Sequence, residues 1–143
     1  STIDYYRFIN EGINEKLGGL NFAECIIYSL NFDDFQRNNT ANNWDVTFEL
    51  ITNACKSLEK SGAEAIVLCA NTAHAVVERV EKEISLPIIH VATATAKEIN
   101  KKGLKKVGLL GTKFFLRDAL GIAAIGVAHD LEGVGGRRRF LWC

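Results

Sequence analysis

The sequence has no methionine, one proline, and four cysteines that form no metal-binding pattern among its 143 residues. Without an initiator methionine, the chain is expected to be a fragment or to have a processed start. The cysteines Cys25, Cys55, Cys69 and Cys143 contain no C-x-x-C pair, and no histidine stands at zinc-ligand spacing from them. This arrangement predicts no metal site. Because no secretion signal is visible, the thiols are expected to be free, in a reducing, cytoplasmic compartment.

The sequence also lacks any excess of charge and any long apolar run. Its 17 basic and 17 acidic residues cancel, so the electrostatic signature of a nucleic-acid-binding protein is missing. The basic cluster at Arg137 to Arg139 is interpreted as a solvated tail. No apolar stretch reaches the roughly 18 residues of a membrane span. Neither nucleic acid nor a membrane is therefore expected as a partner.

What is present is the composition of an ordinary globular domain, with 48% hydrophobic residues and enough length for one sizeable core. Apolar periodicity predicts four helices, at Ile3–Leu17, Asp45–Lys60, about Thr72–Ile84 and Ala94–Lys101. Short β-branched runs predict four strands, at Glu24–Leu30, from Ala65, at Ile88–Val91 and at Lys106–Leu110. This alternation predicts an α/β three-layer sandwich with a mostly parallel sheet of about four strands.

Two segments fit the alternation less well. The polar segment Asn31–Asn43 is predicted to be a loop, and loops of that length are often functional. Residues 115–143 are interpreted either as a helix followed by a last strand or as a tail outside the fold.

The stretch Ala65–His74 carries the main signal for a functional site. An apolar strand is followed by Cys69-Ala70-Asn71-Thr72, and a helical pattern then begins. In a parallel sheet the carboxyl ends of strands face the ligand crevice, and a following helix offers N–H groups to an anion. A site for a small anionic molecule is therefore predicted here. The alternatives are a buried structural thiol at Cys69 and ordinary helix caps at Asn71 and Thr72.

Several segments together resemble the aspartate/glutamate racemase family, and its aspartate racemase branch most closely. They are Ser1–Asn10, Lys16–Gly19, Gly62–Ala65, Cys69–His74, Leu86–Val91 and Val107–Lys113. The resemblance covers residues 1–114 and implies the N-terminal α/β domain of a pseudo-symmetric, two-domain racemase, with residues 115–143 as a divergent C-terminal segment.

The resemblance implies a cofactor-independent racemase acting on a small acidic amino acid. Two acid/base groups, one thiol from each domain, would flank Cα, remove its proton and return another from the opposite face. Cys69 is the implied catalytic thiol. The implied substrate-binding residues are Ala70, Asn71 and Thr72, with Gln36, Arg37 and Asn39 as candidates from the polar segment.

The sequence departs from the family pattern in three ways. The family's catalytic cysteine directly precedes the Asn-Thr pair, where this chain has Ala70, and Cys69 stands one residue earlier. The family's glycine-rich first strand and its second catalytic thiol are also missing. These departures favour an alternative hypothesis, a non-catalytic truncated homologue that at most binds a carboxylate. Exposed edges of an incomplete sheet would favour a homodimer.

Overall fold

The computed structural model describes residues 1–108 and the backbone of residues 139–142. Five α-helices are present in this part: α1 Thr2–Leu17, α2 Phe32–Thr40, α3 Trp44–Lys60, α4 Val77–Val80 and α5 Val91–Lys101. A 3₁₀ helix spans Asn71–Val76 and leads directly into α4. The strands are β1 Glu24–Ile27, β2 Ala65–Val67, β3 Ile88–Ile89 and β4 Arg139–Trp142.

The four strands form one parallel sheet in the order β1-β4-β2-β3. In register, β4 pairs with β1 through Cys25 and Phe140 and with β2 through Ala65 and Phe140. The last strand of the described chain therefore lies in the middle of the sheet, between β1 and β2. The predicted α/β class with a parallel sheet of four strands is confirmed.

The larger core lies between the sheet and α3. Helix α3 directs Ile51, Cys55 and Leu58 toward Ile66 and Leu68, and all five side chains are fully or almost fully buried. The spacing of the three helical residues places them on one face, as the sequence predicts. The 3₁₀ helix and α4 complete this core with small or β-branched side chains, namely Ala73, Val76, Val77 and Val80.

A smaller cluster lies on the opposite face of the sheet, beneath α1. Val67 and Cys69 are buried there because residues at odd and even positions of a strand point to opposite faces. Tyr5 and Ile9 of α1 pack against them. Helices therefore cover both faces of the sheet, as expected for a three-layer sandwich.

Helix α1 is bounded by clear local signals. Asp4 lies in its first turn and Lys16 in its last, where each charge interacts favourably with the helix dipole. The helix ends at Gly18, whose φ of 70° lies in the left-handed region that glycine adopts without steric cost.

The prediction of a loop at Asn31–Asn43 was wrong, because most of it forms α2. The side-chain amide of Asn31 donates to Asp34 Oδ2 at 2.8 Å, and Asp33 and Asp34 lie in the first turn, where negative charge stabilises a helix. Phe35 and Asn39, four residues apart, form the buried face of this otherwise polar helix.

Three other predictions differ from the structure. The helix predicted at Thr72–Ile84 is a 3₁₀ helix followed by the single α-turn Val77–Val80. Residues 106–108 of the predicted strand Lys106–Leu110 are not in a strand, and residues 109 and 110 lie outside the described residues. Arg139 begins β4 instead of lying in a solvated tail, because the end of the chain returns to the sheet.

Within the described part of the chain, no helix has the length and apolar character needed to cross a membrane.

Candidate functional site

The stretch that follows β2 changes from buried to exposed within three residues. Leu68 and Cys69 are buried, Ala70 and Asn71 are exposed, and Thr72 is partly buried. Ala70 has extended backbone angles and precedes the 3₁₀ helix as its N-cap, without a side-chain cap bond. The expected alternative, that Asn71 or Thr72 is an ordinary cap, is therefore not what the structure shows. Both side chains stand at the carboxyl end of an inner strand.

The thiol of Cys69 points toward α1 and not toward the exposed stretch. Only 5% of the residue is accessible to solvent, and it packs with Val67, Tyr5 and Ile9. Burial raises the pKa of the Cys69 thiol to about 11, although a hydrogen bond from Thr2 and the positive N-terminus oppose the shift. Cys69 is therefore a neutral thiol at neutral pH.

Two residues in the first turn of α1 interact with the Cys69 thiol. Thr2 hydrogen-bonds to the Cys69 thiol, and Tyr5 is close enough for the two ionisations to oppose each other. Burial, followed by the charge of a Cys69 thiolate, raises the pKa of Tyr5 above its usual value. Sequence reasoning missed both residues. The only local signal for them was their three-residue spacing on the inward side of α1.

Two histidines lie behind the exposed stretch. His74, buried in the 3₁₀ helix, places Nδ1 at 3.2 Å from the carbonyl oxygen of Ala70 and accepts the N–H of Val91 at Nε2 over 3.4 Å. His90 is the N-cap of α5, where its Nδ1 accepts the N–H of Ala92 at 3.2 Å. The two ring centroids are 4.3 Å apart. His74 and His90 therefore connect the ends of β2 and β3.

The structure does not connect the three candidates on α2 to this stretch. Gln36 is exposed. Arg37 forms ion pairs with Asp33, at 3.0 Å, and with Asp34, both on its own helix. Asn39 is buried and its Oδ1 accepts the hydroxyl of Thr47 at 2.9 Å. The observed contacts of these polar groups thus stay within α2 and its junction with α3.

Asn39 has one further feature. Its Nδ2 is buried without a hydrogen-bond partner among the described residues, although a buried amide of this kind normally has one.

No group of three or more metal-ligating side chains lies close together in the described part of the chain.

Comparison with known proteins places the chain in one protein family. The family model for Asp/Glu/hydantoin racemase matches residues 1–137. The broad specificity amino-acid racemase RacX of Bacillus subtilis is 30% identical over 119 residues, which are 83% of this chain and 49% of that protein. The family predicted from the motifs is therefore confirmed.

Two solved structures share the fold. A Yersinia pestis protein that carries the name Asp/Glu racemase superposes with a TM-score of 0.79 at 35% identity. An aspartate racemase homologue from Pyrococcus horikoshii OT3 gives 0.75 at 33% identity. In both cases the match covers 99% of this chain and 58% of the other. The chain thus spans between 49% and 58% of the length of these three relatives.

Proposed function

The chain belongs to the Asp/Glu/hydantoin racemase family, and from that membership we propose that it forms half of a racemase site for an acidic amino acid. The reaction proposed is inversion at Cα without a cofactor. The observation that carries the proposal is the stretch Ala70-Asn71-Thr72, exposed at its first two residues, at the carboxyl end of β2. The chain that contains it is similar to the amino-acid racemase RacX.

In the proposed complex, Asn71 and Thr72 hold the α-carboxylate. Their amide and hydroxyl groups are hydrogen-bond donors, and neither side chain caps the helix that it begins. Loss of the α-proton delocalises negative charge into this carboxylate, so donors already in place stabilise the transition state more than the ground state. Backbone N–H groups at Asn71 and Thr72, which lack acceptors within the helix, add to the same positive field.

Cys69 is the proposed acid/base group contributed by this half. Racemisation requires a base on one face of Cα and an acid on the other, and each group changes role when the reaction runs backward. As a neutral thiol, Cys69 carries the proton that the acid role needs, and that role requires its side chain to turn from α1 toward Asn71 and Thr72 when substrate binds. For the base role, a pKa of about 11 leaves about one thiolate in a thousand at pH 8.

The test is exchange of the α-proton in deuterated water. Incubation with L-aspartate or L-glutamate should place deuterium at Cα, as followed by proton NMR. Cys69→Ser should abolish the exchange, and Cys25→Ser, which removes another thiol of the same cluster, should leave it intact. Absence of exchange above background in the unmodified protein would refute turnover by this chain.

A second candidate function is carboxylate binding without turnover. The burial of Cys69 and its raised pKa favour this alternative, because they remove the thiolate that proton abstraction needs. Titration with L-aspartate and with succinate separates the two functions. Binding of both ligands with no exchange of the α-proton supports the second function, and exchange that depends on Cys69 supports the first.

A further inference from the structure

We propose that His74 and His90 form a latch that holds Asn71 and Thr72 in position and that closes only when both rings are neutral. The residues act as positioning residues and do not contact substrate. Their effect on ligand binding rests on the function proposed above, whereas the latch itself is a property of the free protein.

His74 ties the exposed stretch to the start of α5. Its Nε2 accepts the backbone N–H of Val91 at 3.4 Å, so this nitrogen must carry a lone pair. The ring proton of neutral His74 therefore sits on Nδ1 and is donated to the carbonyl oxygen of Ala70 at 3.2 Å. One ring thus connects the residue before Asn71 with the first residue of the helix that follows β3.

The Ala70 carbonyl oxygen also accepts the N–H of Ala73 at 3.1 Å. Backbone and imidazole donors therefore converge on one oxygen and fix the peptide plane between Ala70 and Asn71. The direction of that plane determines where the side chains of Asn71 and Thr72 project. In this way His74 would orient the hydrogen-bond donors of Asn71 and Thr72 without contacting a ligand.

His90 completes the latch from the other strand. Its Nδ1 accepts the N–H of Ala92 at 3.2 Å, so its ring proton is on Nε2, the opposite tautomer from His74. The rings lie 4.3 Å apart with a 58° angle between their planes. The strands that precede them in the sequence, β2 and β3, are paired in parallel, Val67 with Ile89.

Protonation opens the latch because an imidazolium ion has two donors and no acceptor. A cation at His74 loses the Val91 bond, and a cation at His90 loses the Ala92 bond. Burial and the neighbouring His74 lower the pKa of His90 to about 4. Two other titratable residues lie on the elements that carry the rings or lead into them: Cys69, which packs toward α1, and Lys97, which follows about two turns along α5. The ring of His90 is therefore neutral at pH 7, as the latch requires.

The first test is the tautomeric state in the ligand-free protein. Nitrogen-15 NMR of the imidazole rings at pH 7 should show the Nδ1–H form for His74 and the Nε2–H form for His90. On acidification, the amide of Ala92 should shift with a midpoint near 4 instead of 6.5. Identical tautomers, or a charged ring at pH 7, would overturn the latch.

The second test asks whether the latch positions Asn71 and Thr72. His74→Phe removes both ring hydrogen bonds. It should shift the backbone amides of Asn71 and Thr72 and speed hydrogen exchange at Val91 about tenfold, the effect of losing one hydrogen bond. His74→Gln, which can place an oxygen near the original Nε2, should restore slow exchange at Val91.

Unchanged amides at Asn71 and Thr72 in a folded His74→Phe protein would overturn the positioning role. A titration of the unmodified protein with L-aspartate tests the proposed function independently of the latch. Failure to bind at pH 7 would count against the proposed function and would not affect the tautomers or the exchange rates.

Discussion

The two faces of the sheet differ in packing and in chemistry. Toward α3, Ile66 and Leu68 meet helical side chains that are almost fully buried. Toward α1, Val67 and Cys69 meet residues that are only partly buried. The same helix leaves Ile3 83% exposed to solvent. The α3 face is therefore expected to supply most of the stability, whereas the thinner α1 face carries the thiol and its polar neighbours.

This division explains why the candidate thiol is so weakly acidic. The α1 face excludes water from Cys69 but provides only one hydrogen bond, from Thr2, and the positive N-terminus to stabilise a thiolate. The donors Asn71, which is exposed, and Thr72, which is partly buried, lie beyond the strand end, and neither belongs to the thiol cluster. The donor side chains and the thiol thus lie on different sides of one short stretch.

The largest expected effect comes from removing the strand that both faces share. Deleting residues 139–143 removes β4, and β1 and β2 have no direct pairing in the described sheet. The exposed strand β1 and the buried strand β2 would then each lose a backbone partner. We expect loss of cooperative unfolding, measured by circular dichroism in urea. Removing Cys143 alone is the control. A truncated protein that unfolds cooperatively at the original midpoint would contradict the central role of β4.

The next largest effect is expected from single substitutions that compare how much each face of the sheet contributes to the free energy of unfolding. Leu58→Ala on the α3 face should lower the free energy of unfolding by about 2–5 kcal/mol, because it leaves a cavity in a packed core. Ile9→Ala on α1, at a side chain that is only partly buried against Val67 and Cys69, should cost about 1 kcal/mol. Urea titrations of both variants measure the difference. Equal losses would mean that the α1 face contributes as much as the α3 face.

Sequence patterns predicted the α3 face better than the rest of the molecule. The helical spacing of Ile51, Cys55 and Leu58 and the β-branched run at Ile66 are local signals, and the structure uses them as expected. Helix α2 was missed because only Phe35 and Asn39 mark its inner side within a polar segment. A last strand was one of two alternatives left open for residues 115–143, because β4 pairs with strands that lie far away in the sequence, a contact that no local pattern contains.

The candidate site shows the same contrast between local signals and tertiary contacts. The strand-to-helix change after Ala65 located the exposed donors. The direction of the Cys69 side chain depends on how α1 docks, and that docking is a tertiary contact. Sequence reasoning also could not show that Arg37 is held by Asp33 and Asp34, since the segment was expected to be a loop.

A smaller effect is expected on the alkylation rate of Cys69, which tests whether the α1 face suppresses ionisation of this thiol. With a pKa of about 11, its alkylation by iodoacetamide should accelerate about tenfold per pH unit between pH 7 and 10, since only the thiolate reacts. Thr2→Val should slow alkylation at each pH, because it removes the hydrogen bond that stabilises the thiolate. Mass spectrometry of the Cys69 peptide follows the reaction. A rate that levels off near pH 8 would show that the α1 face does not suppress ionisation.

The smallest expected effect is a loss of folding stability at acidic pH that depends on His90, the residue that follows β3. The pKa of His90 is lowered to about 4 in the folded protein, against about 6.5 when unfolded. Above pH 6.5 both states are neutral, and this contribution to stability is complete. As pH falls from 6.5 to 4, the unfolded chain binds a proton that the folded chain does not, so stability is lost.

His90→Asn keeps an N-cap residue and removes the titration. Urea unfolding at pH 7 and 4.5 should therefore show a smaller loss in the variant than in the unmodified protein, because all other titrating groups are common to both. Equal losses would mean that the burial of His90 does not disfavour its charged form.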